Sequence, residues 1–195
     1  MILSILIPTL FSRKKVFNEL TDKLMKQIKE NSLEEKVEII AHFDTKTIGL
    51  AKKRNNMLKT ASGKFIANLD DDDDVGNTYI KDIVETIIKN PEADVITFKQ
   101  HCNCDGRQFH VESDISENLQ GRFSDNILYR YPWIWCVWKR ENFDAIYLDD
   151  IFRKGNYGED RFLLEKMIKS GKFKKEIKIN KILHYYRYSS KTTEC

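Results

Sequence analysis

Apolar and polar positions along the first hundred residues separate strands from helices. Ile2 to Ile7 form a nearly continuous apolar run that stops at Pro8, the pattern of a strand buried on both faces. The period then changes: Val16, Leu20, Leu24 and Ile28 recur every four residues, with Phe17 and Met25 widening the stripe, which predicts an amphipathic helix. Val37 to Phe43 predicts a second strand, Leu50 to Thr60 a second helix and Phe65 to Leu69 a third strand. Tyr79, Ile80, Ile83, Val84, Ile87 and Ile88 predict a third helix, stopped by Asn90 and Pro91, and Asp94 to Phe98 a fourth strand.

Strands alternating with helices imply right-handed βαβ units. The fold class expected is α/β: one Rossmann-like domain with a mostly parallel central sheet and helices on both faces. Ligands of such sheets bind beyond the carboxyl ends of the strands, so the loops of interest are Pro8 to Arg13, Asp44 to Ile48 and Asp70 to Asp74. The second half is less regular. Trp133 to Trp138 predicts a strand, Gly158 to Ile168 a helix closed by Gly171, and Ile182 to Tyr188 a terminal strand rich in tyrosine. Gln100 to Tyr131 carries mixed signals and receives no assignment.

Composition narrows this picture. A chain of 195 residues with 41% hydrophobic and 32% charged residues is globular and sized for one domain over 1–195. Its formal charge of +3 does not by itself imply a nucleic-acid partner, because phosphate neutralisation needs concentrated basic surface. The apolar opening lacks a basic leader, is too short to span a bilayer and is followed by Arg13, Lys14 and Lys15, so it reads as a core strand. Four cysteines make no disulfide framework at this length, and reduced thiols in a cytoplasm are expected. His101, Cys102, Cys104 and His110 fit no standard zinc spacing.

A doubly wound domain that binds a nucleotide usually cradles the phosphates with a glycine-rich turn. None is present. The third strand is followed instead by five consecutive aspartates, Asp70 to Asp74, which repel a phosphate unless a divalent cation intervenes. Carboxylate oxygens suit Mg²⁺ or Mn²⁺, and such an ion can bridge protein to diphosphate. The plainer reading is a solvated turn in which Asp74 or Asn77 caps the next helix, but capping needs one residue. Arg54 falls on the inward stripe of its helix with Leu50, Met57, Leu58 and Ala61. It needs a partner: Asp44, Asp70 or a ligand, or else a purely structural ion pair. Glu159 and Asp160 follow Gly158 at a helix start. Acids there suit the helix dipole, and a carboxylate apart from the acidic turn can also act as a general base.

With these residues in place, the chain resembles the family 2 glycosyltransferases of the GT-A fold. Ser4-Ile5-Leu6-Ile7-Pro8-Thr9 is similar to the family's first strand, and Gly49 to Asn55 to its Gly-x-x-x-x-Arg-Asn segment. Ala61-Ser62-Gly63-Lys64-Phe65-Ile66 followed by Leu69 to Asp73 resembles the Ala-x-Gly-x-Tyr-Ile and Asp-x-Asp signature, with Phe65 replacing tyrosine. Trp135 to Glu141 and Gly158-Glu159-Asp160 resemble the later aromatic-basic stretch and the Glu-Asp motif. The family's usual Asp-Asp-Gly-Ser after the second strand is here Asp44-Thr45-Lys46-Thr47.

The resemblance implies a metal-dependent, inverting transfer from a nucleoside-diphosphate sugar, with UDP the family's commonest nucleotide, to a glycan or other hydroxyl-bearing acceptor. A nucleic acid enters only as such an acceptor. Residues 1–99 are then the donor-binding half and 100–195 the acceptor and catalytic-base half. Asp72, Asp70 and His184 are expected to hold Mn²⁺ or Mg²⁺. Thr9, Asp44, Arg54, Asp70, Asp71, Arg187 and Lys191 are expected on the donor, and Asp160, with Glu159, on catalysis. Two rivals share some of these features. A sugar-nucleotide pyrophosphorylase has a similar sheet, but Pro8 to Arg13 contains no glycine. A cation-dependent carbohydrate-binding module needs only the acidic run.

Overall fold

The computed structural model describes residues 1–143 and 158–188, apart from the side chain of Glu159. One mixed sheet organises the described chain in the order β2-β1-β3-β9-β5-β6-β8-β7, with β10 joined to β5 and to the short β4. Its strands are β1 (Leu3–Leu10), β2 (Val37–Asp44), β3 (Phe65–Asn68), β4 (Asp74–Val75), β5 (Val95–Cys104), β6 (Arg107–Ser113), β7 (Arg122–Ser124), β8 (Ile127–Arg130), β9 (Val137–Lys139) and β10 (Glu176–Tyr188). The helices are α1 (Lys14–Glu30), α2 (Leu50–Thr60), α3 (Tyr79–Lys89) and α4 (Glu159–Ser170).

β1 runs parallel to β2 and to β3, so this part is the expected βαβ assembly. Leu3, Ile5, Leu6 and Ile7 are all essentially inaccessible, as a central strand covered on both faces requires. On one side α1 and α3 pack together, and Gln27 of α1 joins them by donating to Gly76 O (2.9 Å) and accepting from Ile80 N (3.0 Å). On the other, Leu58 of α2 and Leu163 of α4 meet beside Leu6 and Ile66. Gly158 and Gly171 flank α4 with φ of 79° and 62°, the left-handed backbone that glycine adopts without strain.

The second half departs from expectation in three ways. The fourth strand continues past Phe98 to Cys104 and turns back as β6. β8 then lies parallel to β6 and pairs with β7 within the stretch that carried no period. The strand expected at Trp133 to Trp138 is only β9, antiparallel between β3 and β5. The residues weighed against zinc spacings are also separated: Cys102 faces the pocket described below, whereas His101 and His110 pack ring against ring (centroids 5.2 Å) at alternate positions of the same strands. Among the described residues no helix is long and apolar enough to cross a membrane.

Candidate active site

The carboxyl ends of β1, β2 and β3 face the start of α4, and the acidic turn lies between them. Each of its five aspartates has a different set of partners. Asp70 accepts from Arg54 Nη2 at 2.9 Å. Asp71 accepts from Thr9 Oγ1 at 2.6 Å and pairs with Arg13 at 2.6 Å. Asp72 pairs with the same Arg13 at 2.7 Å. Asp73 folds back to accept from Asp70 N at 3.1 Å and pairs with His184 Nε2 at 2.9 Å. Asp74 is held by Lys23 at 2.7 Å and caps Val75 N. The like charges that the sequence crowds together thereby face different partners, with Arg13 shared by Asp71 and Asp72.

Asp70 and Asp72 keep the most access, each side chain 44% exposed, against 5% for Asp71 and Asp73. Asp70 sits on the floor of a concave pocket, surrounded by protein yet reached by water. Burial pushes its pKa up, Arg54 opposes, and the charges of Asp73, Asp160 and Asp72 raise it further, to about 7. Burial likewise raises Asp71 despite the opposing Thr9 hydroxyl and Arg13.

Arg54 joins the two halves of the site. It is 8% exposed, as its place on the inward stripe requires. Its guanidinium pairs with Asp70 on one side and with Asp160 of α4 on the other. The neighbouring Lys53, which no sequence motif singles out, takes Asp44 and also donates to Thr9 O at 2.8 Å. Burial works against ionisation of Asp44, but Lys53 and the backbone N–H of Ile48 outweigh it and its pKa falls.

A cavity of about 260 Å³ opens above this floor, lined by Asp70, Asp73, Asp160 and His184 together with Arg130, Trp133 and Trp135. His184 is buried at 1% and lies flat against Trp135 (5.4 Å between centroids, 6° between planes). Its Nδ1 meets Gln100 Nε2 at 2.7 Å. Arg130 lies over the Trp133 ring at 3.5 Å and donates to Leu119 O.

Of the expected donor residues, the structure brings Thr9, Asp44, Arg54, Asp70 and Asp71 to one end of the sheet. Thr9 and Asp44 turn inward to protein partners, only 3% and 6% exposed. Arg187 points outward, 70% exposed, and approaches Asp74 at 3.5 Å. Glu159 begins α4, and Lys191 lies outside the described residues.

The metal ligands expected from the sequence do not form a ready-made cage. Both ring nitrogens of His184 are engaged, by Gln100 and Asp73. Among the described residues no three His, Cys, Asp or Glu side chains are grouped to hold a metal. Asp70 and Asp72 nevertheless fit one. Both are accessible oxygen donors, and the carboxylates of Asp73, Asp160 and Asp72 add negative charge around Asp70. Mg²⁺ and Mn²⁺ typically use one or two carboxylates and take their other ligands from water and substrate phosphates.

Arg13, Lys53 and the Asp73–His184 pair are site features that sequence reasoning missed. Arg13 closes the loop after the first strand, which was already singled out. Lys53 lies inside the Arg-Asn segment. The link between Asp73 and His184 spans 111 positions and has no local signal.

A parallel α/β core with carboxylates at its strand ends, joined through Arg54 to a carboxylate on a later helix, is the framework of a GT-A domain. The profile of Glycosyl transferase family 2 matches residues 16–142, and the chain belongs to that family. No curated protein sequence matches it. Among solved structures, S. aureus TarS is similar at a TM-score of 0.66 and 20% identity, over 97% of this chain and 37% of that one. TarS 1–349 in complex with UDP-GlcNAc gives 0.66 and 18%, over 100% of this chain and 62% of that one. The UDP complex gives 0.64 and 20%, over 97% and 61%. The chain thus spans less than two thirds of each of these structures.

Proposed function

We propose that this domain moves a sugar from a nucleoside-diphosphate sugar to an acceptor hydroxyl, with inversion at the anomeric carbon. The observation that carries the reading is the Arg54 bridge, which holds Asp70 on the donor side and Asp160 on the helix side of one pocket. Transfer needs such a division of labour: one carboxylate group near the diphosphate, another within reach of the attacking oxygen. A UDP-linked donor is supported by likeness in fold to the TarS complex with UDP-GlcNAc.

Asp160 takes the proton of the acceptor hydroxyl as that oxygen attacks C1. Arg54 positions Asp160, and the wall formed by Trp133, Trp135 and Arg130 receives the acceptor. Asp72 and Asp70 hold Mn²⁺ or Mg²⁺; when bound, the ion neutralises charge on the departing nucleoside diphosphate. His184 keeps Asp73, and through it the acidic turn, in place. Residues 1–99 thus serve the donor and the later half serves the acceptor. The unpaired thiols of Cys102, Cys104 and Cys136 favour a cytoplasmic setting.

The test is Asp160→Asn. Transfer should fall at least about a hundredfold, the lower range for loss of a general base, while UDP binding measured by calorimetry stays near wild type. Full transfer in this variant removes Asp160 from the role.

A further inference from the structure

The pocket continues outward along the sheet. Paired positions place side chains in rows on one face: His184, Gln100, Val111, Leu128 and Phe123 in the first, then Tyr186, Cys102 and Phe109, then Tyr188, Cys104 and Arg107. The first row reaches the catalytic floor through His184. The last row lies four residues further along β5, about 13 Å at the rise of an extended strand, a distance longer than one sugar ring.

The far edge of this face, four strands across from His184 at Phe123 and two rows further along β6 at Arg107, is aromatic and partly open. Phe109 and Phe123 pack edge to face at 5.7 Å. Arg107 covers them, its guanidinium carbon 4.8 Å from the Phe123 ring centre and 5.9 Å from that of Phe109. Phe123 is 47% exposed and Tyr188 37%. Phe109 also lines the pocket, so the outer cluster and the inner cavity form one continuous surface.

Exposed rings beside an arginine suit a ligand with apolar C–H faces and many hydroxyls. The negative face of an aromatic ring attracts the C–H side of a sugar while the guanidinium donates to its oxygens. We propose that this face is the outer half of the acceptor site and takes a saccharide chain of several units, with Phe109, Phe123 and Arg107 forming a subsite remote from the reacting hydroxyl. The proposal rests on the transferase reading above. It gives the irregular second half of the chain a role, since β6, β7 and β8 extend the sheet into a platform that selects long acceptors over single sugars.

The test applies the full chain, and its Phe123→Ala variant, to an array of mono- to hexasaccharides. At least one longer saccharide should be retained in preference to its own monosaccharide. Phe123→Ala should weaken that retention by about fivefold, the effect of losing one significant contact, with UDP binding unchanged. Phe123→Trp, which keeps a ring, should restore it. Phe123 belongs to a short strand whose three residues all lie at the surface, so the protein should stay folded, with at most a small drop in melting temperature. Unchanged retention in Phe123→Ala overturns the proposal. So does a lack of preference for longer saccharides, or a shift from dimer to monomer on substitution, which assigns the face to a second copy. Hydrolysis of UDP-sugars in the presence of Mn²⁺, measured alongside, separates the two readings: no hydrolysis with intact length preference sinks the transferase assignment and leaves the saccharide platform standing.

Discussion

At the scale of single residues, the acidic run is a set of five different electrostatic environments. Asp71, Asp73 and Asp74 are tied to Thr9 and Arg13, to His184, and to Lys23, and these ties fix the shape of the turn. Asp70 is left in an unfavourable position for a charge, with a pKa near 7 set first by burial and then by Asp73, Asp160 and Asp72 against Arg54. A folded-state pKa above the ordinary carboxylate value means that the native state prefers the neutral acid. Stability from this group is therefore complete below the ordinary value of 3.8 and is lost as pH rises from there through about 7. Asp70→Asn imitates the neutral form. Its melting temperature should exceed that of the native chain at pH 8 and differ little at pH 4. An equal effect at both pH values contradicts the assignment. The same substitution should weaken donor binding, which places Asp70 among the residues that exchange stability for function.

At the scale of elements, the sheet depends on how closely the amino end of β1 approaches the loop before β3. Ser4 Oγ accepts from Gly63 N at 2.8 Å and donates to Glu38 at 2.5 Å, and Gly63 O accepts from Arg140 Nε at 2.9 Å. A Cβ added at Gly63 meets Ser4 N at 2.5 Å and Leu3 C at 2.7 Å. These are backbone atoms of a central strand and cannot give way locally. Gly63→Ala should therefore destabilise the fold by about 1–3 kcal/mol, the usual cost of overpacking, as read from urea unfolding. Wild-type stability in that variant argues against the close approach. The elements that place this contact were legible in the sequence, since β1, α2 and β3 have strong periods. β6, β7 and β8 were not. β7 is three residues, all exposed, β8 is four residues, all half-buried, and β6 buries only Val111 and Ser113 near its end, so none of them shows the alternation that marks a strand.

At the scale of the whole molecule, Asp70 and Asp160 meet on Arg54 only because α4 returns to the carboxyl end of the sheet. If Asp70 and Asp72 bind a cation together with the donor's phosphates, UDP and Mn²⁺ should stabilise the fold jointly. A hundredfold excess over Kd corresponds to about 2.7 kcal/mol, a rise of roughly 5 °C or more in melting temperature for a chain of this size. The gain should shrink between pH 8 and pH 6, because Asp70 must lose its proton to serve as a ligand. Identical shifts with UDP alone, with and without a chelator, exclude a cation from the site.

The sequence alone determined the order of the first strands and helices, the parallel α/β core, the acidic turn at its mouth, and Arg54 and Asp160 as candidates. Each of these is written in local periodicity or in a short run of residue types. The tertiary structure alone decided which partner each aspartate meets, that His184 lies between Asp73 and Gln100, and that Arg54 reaches Asp160 across 106 positions. Such pairings depend on where distant segments come to rest in space, and no local pattern encodes them.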